Sequence, residues 1–157
     1  MATRLAVCAM LLAAAAAAAD RPWPPSAAKT GIMLKPERLY WRPALPGLPP
    51  SVTFAALEGN PNEPGPFTIR LTLPAGVAIP THSHPWPTRM TVLSGRLAFG
   101  LDQWELGAGG FWACPADFWQ SIVAREDSVV QISGEQTWAI KYLKAADDPR
   151  GTDGPSK

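Results

Sequence analysis

Between Phe67 and Leu73 apolar and polar side chains alternate, with Phe67, Ile69, Leu71 and Leu73 set against Thr68, Arg70 and Thr72. A period of two sends the two sets to opposite faces, so this segment predicts a strand with one buried face. Other apolar runs share its richness in β-branched and aromatic residues: SVTFAAL at 51–57, RMTVLSG at 89–95, RLAFG at 96–100, GFWACP at 110–115, DFWQSIVA at 117–124, SVVQISG at 128–134 and TWAIKYL at 137–143. Turn residues (Gly, Pro, Asp, Ser) separate them at short intervals, which is the spacing of a sandwich or barrel. Eighteen prolines and 13 glycines punctuate the 157 residues too often for long helices. The expected class is all-β.

The two ends break this pattern. Arg4 sits in a short positive start, and Leu5 to Ala19 form an uncharged apolar run ending in small residues before Asp20. This reads as a signal peptide at 1–19, cleaved after Ala19, for a secreted or periplasmic protein. The run is shorter than the ~20 apolar residues a membrane-spanning helix needs, so no membrane association is expected after cleavage. Residues 20–38 are Pro-rich and aperiodic and read as an arm. Trp23 in the arm and Trp41 just beyond it should pack on the chain's own domain or on a neighbouring subunit. A homodimer with the arm laid across the partner barrel is the form that would cover exposed strand edges. The barrel domain is expected at 39–146 and a flexible, charged tail at 147–157.

Composition narrows the partners. Hydrophobic residues make up 46% of the chain and charged residues 17%, enough apolar content for a packed core. The formal net charge of +1 falls to zero when Arg4 leaves with the signal. A neutral chain without a Lys/Arg run lacks the positive footprint that nucleic acid or an anionic membrane requires, so a small molecule is the expected partner. Cys8 would also leave, and Cys114, alone in an apolar run, is expected to be buried and free of any disulfide.

The chain has two histidines, His82 and His84, on one face of a strand and at a metal-ligand spacing. Gly76 precedes them by six positions and Gly95 follows in VLSGRL. The segment GVAIPTHSHPWPTRMTVLSGRL resembles the first signature of the cupins, Gly, five residues, His-x-His, three or four residues, Glu, six residues, Gly. GGFWACPADFWQ resembles the second, matching it at Gly109 and Pro115. The resemblance covers roughly Leu39 to Arg150 and implies a single cupin barrel, a double-stranded β-helix or jelly roll. Cupins normally hold a divalent metal through three His and one Glu. Here Thr88 occupies the Glu position and Gln120 that of the third His. The resemblance therefore implies at most a weakly held Fe, Mn, Ni or Zn on His82, His84 and Gln120. Asp117 tolerates the turn geometry of the second signature but should face away from Gln120.

Trp86, Trp104, Trp112, Trp119 and Trp138, with Phe111 and Phe118, make up an unusual aromatic load, for which barrel packing is the first explanation. Parity puts Phe118 on the inward side with Gln120 and sends Trp119 the other way. Trp86, in HPWP near the open end, is the candidate for ligand stacking. Three readings stay open. The first is an exported binding module with a Trp-lined barrel pocket, its ligand touching Trp86, Thr88, Arg70 and Phe118 beside His82, His84 and Gln120. The second is a metal-dependent oxygenase- or hydrolase-like enzyme on His82, His84 and Gln120, with Arg70 or Arg89 fixing an anionic substrate. The third is a structural or partner-binding dimer with a filled barrel.

Overall fold

The computed structural model describes residues 22–25, 31–100 and 104–151. The signal-peptide segment with its cleavage point and Cys8, the remaining arm residues 20–21 and 26–30, and the tail beyond Gly151 lie outside them.

Eleven strands are present among the described residues. They are β1 (Arg42–Pro43), β2 (Thr53–Glu58), β3 (Phe67–Leu73), β4 (Ala78–Ser83), β5 (Thr88–Ser94), β6 (Arg96–Phe99), β7 (Trp104–Gly107), β8 (Phe111–Cys114), β9 (Gln120–Ala124), β10 (Ser128–Gly134) and β11 (Lys141–Tyr142). One sheet runs β1-β2-β3-β10-β5-β8 and the other β11-β4-β9-β6-β7. All pairings are antiparallel, which makes the jelly-roll pair of sheets that the signatures imply.

The alternation in β3 is fully expressed. Phe67, Ile69, Leu71 and Leu73 are buried and the residues between them are half-buried on the outer face. β10 shows the same pattern and pairs with β3 along its whole length, from Ser128 opposite Leu73 to Gly134 opposite Phe67. The inner faces meet in a core that includes Ile69, Leu71, Val92, Leu97, Ile122 and Val130. Gly95, at φ +79°, turns β5 into β6, and a β-carbon there would meet the backbone of Asp127 and Ser128. This is the physical reason for the closing glycine of the first signature.

Two segments outside the regular ladders close over this core. Leu45 and Leu48 pack with Trp138, Ile140 and Tyr142. The Tyr142 hydroxyl donates to the Gly47 carbonyl at 2.6 Å and the Trp138 indole to that of Pro46 at 3.2 Å. Both polar tips are thus satisfied as their rings become buried. TWAIKYL supplies a strand only at Lys141–Tyr142, because its first half serves this closure. The described part of the arm packs on its own domain: Trp23 stacks on Phe54 at 6.1 Å, and the Arg42 guanidinium lies 4.2 Å from the Trp23 ring centre. Trp23 therefore packs on its own domain.

Candidate functional site

A break in register puts both histidines inside the barrel. On β4, Ile79 pairs with Ile122 of β9 and His82 with Gln120, so the ladder shifts by one residue between them. Ile79 and His82 are three positions apart and would face opposite sides of a regular strand. The bulge at Pro80 and Thr81 rephases the chain, and Ile79, His82 and His84 all line the same interior cavity. Each ring is held from its far side. His82 Nδ1 lies 2.8 Å from the Pro80 carbonyl oxygen and His84 Nδ1 lies 2.7 Å from that of Ala139. A carbonyl only accepts, so each Nδ1 carries the hydrogen and each Nε2 keeps its lone pair.

Burial sets the charge state. His82 is 1% exposed, and loss of water pushes its pKa down to about 4, partly against the hydrogen bond to Pro80. His84 is lowered for the same reason. Both are neutral at pH 7. The rings stand edge to face 5.3 Å apart, and His84 is likewise edge-on to Trp138 at 5.1 Å.

Gln120, at the head of β9, is buried opposite His82. Its Oε1 accepts the Trp112 indole hydrogen at 2.8 Å. Trp112 in turn touches Phe99 at 6.4 Å and Phe118 at 5.7 Å. Thr88 is half-buried on β5 opposite Cys114. Burial pushes the pKa of the Cys114 thiol up, partly against the neighbouring Trp112 and Thr88 side chains. Asp117 takes a left-handed φ of +57° and donates its N–H to the His84 carbonyl at 2.7 Å, tying the β8–β9 loop to the strand end beyond the histidines.

The cavity measures about 30 Å³, room for a water or two, against the 300–1,000 Å³ of ordinary ligand pockets. Its lining is aliphatic apart from His82, His84 and Trp138. The expected Trp-lined interior is not what this barrel encloses. Trp104 is 76% exposed, Trp86 48% and Trp119 40%, with Phe111 and Phe118 also outside the core. Aliphatic side chains from both sheets already fill the space. The parity expectation for Phe118 fails because β9 begins only at Gln120, so Phe118 and Trp119 belong to a loop. Phe118 packs edge-on against Trp112, and Trp86 lines a shallow crevice with His84, Thr88 and Trp138.

Arg70 is not at the site. It lies on the outer face of β3 with its Nε 3.3 Å from Gln131 Oε1, where the alternation of Phe67, Ile69 and Leu71 had to send it. Arg89 is also outward, paired with Glu135 at 3.4 Å. Sequence reading missed Trp112, which is eight residues from Gln120 and joined to it across the β8–β9 loop.

The cupin resemblance implies a metal on His82, His84 and Gln120, with Thr88 at the position of the family's Glu. Two imidazole nitrogens fit. Thr88 supplies only a neutral hydroxyl, Gln120 gives its oxygen to an indole, and no carboxylate replaces them. Among the described residues no three His, Cys, Asp or Glu side chains come together to hold an ion. The side chains do not fit a divalent metal site.

No protein-family model and no curated protein matches the sequence. Solved structures do. The polyketide cyclase RemF from Streptomyces resistomycificus is similar at 17% identity and TM-score 0.60, over 76% of this chain and 90% of that one. KdgF from Halomonas sp. is similar at 18% identity and TM-score 0.56, over 69% and 96%. An RmlC-like cupin from Ralstonia eutropha JMP134 matches at 18% identity and TM-score 0.57, over 69% and 77%. With the two antiparallel sheets, these likenesses show that the chain has the cupin fold.

Proposed function

We propose that the chain is an exported cupin-fold protein that takes a small ligand at the barrel mouth by hydrogen bonding and aromatic contact, without a metal. The observation that supports this reading is the hydrogen-bond polarity of the buried trio. Two neutral imidazoles offer lone pairs at Nε2, and the Gln120 amide, its oxygen engaged by Trp112, offers its NH₂. A ligand hydroxyl answers both, donating to an imidazole and accepting from the amide. The small cavity admits only such a tip, so the body of the ligand would rest outside on Trp86 and Phe118, where exposed rings give stacking area. Ring-bearing alcohols and phenols are the ligand class.

The metal-enzyme alternative has one observation on its side: histidines that ligate metals also fix their other nitrogen on a backbone or carboxylate oxygen. A screen of ring-bearing alcohols and phenols by nuclear magnetic resonance, in excess chelator, separates the readings. The expected result is binding that persists in chelator and is lost in both His84→Ala and Trp86→Ala. Binding that appears only after loading with iron, nickel or zinc transfers the site to the enzyme reading. Silence under both conditions leaves the filled barrel and overturns the proposal. Export rests on the Leu5–Ala19 run, and an intact mass corresponding to a start at Asp20 would support it.

A further inference from the structure

An amide can turn either its oxygen or its nitrogen toward a neighbour, and in Gln120 the choice is made by a residue outside the trio. The Trp112 indole has one polar hydrogen and no lone pair to offer, so the Gln120 atom 2.8 Å away is the oxygen. The planar amide then carries its NH₂ on the other side, away from Trp112. Trp112 is not free to swing: it lies between Phe99 and Phe118, on a strand registered against β5 with Met90 opposite. Gln120 is fixed opposite His82 by the β4–β9 ladder.

We infer that Trp112 sets the polarity of the histidine site: by holding the Gln120 oxygen it makes the third polar group a hydrogen-bond donor, which selects a ligand oxygen bearing a lone pair and rejects a divalent cation. Trp112 acts through Gln120 and is a positioning residue. A cation needs three or more converging lone pairs, and with its oxygen held by Trp112 Gln120 adds none to those of the two imidazoles. The inference rests on the metal-free reading of the site but on no particular ligand. A failed ligand screen would remove the proposed function and leave this inference standing.

Two measurements on the purified protein test it. In proton–nitrogen spectra the Trp112 indole resonance, assigned by its loss in Trp112→Phe, should exchange slowly with solvent. In Gln120→Leu it should move and exchange fast. Zinc affinity, read by competition with a chromophoric chelator at neutral pH, should rise about 10-fold in Trp112→Phe, where the amide is free to turn its oxygen inward. The double variant Trp112→Phe with Gln120→Leu should lose that gain, which a general loosening of the barrel would not do. The inference is overturned by zinc affinity unchanged in Trp112→Phe, by a gain that survives in the double variant, or by an indole resonance indifferent to Gln120→Leu. If Trp112→Phe fails to fold, the indole resonance is assigned by through-bond spectra of the isotope-labelled wild type, and its response to Gln120→Leu decides the matter.

Discussion

His82 and Gln120 are paired across one ladder with His84 just beyond it, and these three buried polar groups are held by different kinds of partner. The imidazoles lean on the backbone carbonyls of Pro80 and Ala139, and the amide leans on the side chain of Trp112. A backbone acceptor is present whatever the residue, so substitution cannot easily remove it. A side-chain donor can be lost in one step. The histidine half of the site is therefore robust in tautomer and charge, and the Gln120 half is adjustable.

The histidine half should show itself most strongly in pH dependence. Both groups are held neutral, so above pH 6.5 folded and unfolded chains carry the same charge on them. As pH falls from 6.5 toward about 4 the unfolded chain takes protons that folded His82 refuses, and stability drops. The drop from His82 alone should be about 3 kcal/mol, with His84 adding in the same direction. Denaturant titrations between pH 7.5 and 4.5 on the wild type and on His82→Gln measure it. An equal slope in both would erase the distinction drawn for the histidine half.

The adjustable half should respond to restored ligands. Thr88→Glu with Gln120→His is expected to raise nickel or zinc affinity by at least ~100-fold, and His82→Ala should then abolish the gain. Tight, stoichiometric metal in the native protein after dialysis against a chelator would reverse the contrast. A smaller effect comes from cutting the side-chain tie. Gln120→Leu leaves the half-buried Trp112 N–H without its acceptor and should cost about 1 kcal/mol in thermal or chemical unfolding, since water reaches part of the indole. The smallest effect marks the edge of the site: Arg70→Ala, on the outer face, should change stability by less than about 0.5 kcal/mol and leave ligand binding untouched.

Local sequence determined a good deal. The alternation in β3, the turn glycines and the His-x-His spacing carry the all-β class, most strand positions and the placement of His82 and His84 on one face. The outward position of Arg70 was also written in that alternation, although the demand for an anion-binding residue masked it. What the sequence could not supply were consequences of pairing between strands. The bulge at Pro80 and Thr81 depends on how β4 meets β9, and it alone turns Ile79 and His82 to the same side. Trp138 is enclosed and Trp112 half-enclosed while Trp104 lies at the surface, because whether a tryptophan is enclosed depends on how much space the opposing sheet has already filled. The Trp112–Gln120 bond joins strands of different sheets through a loop that no period describes. Residue identity sets what each side chain can donate or accept, and only the packed structure decides which partner it meets.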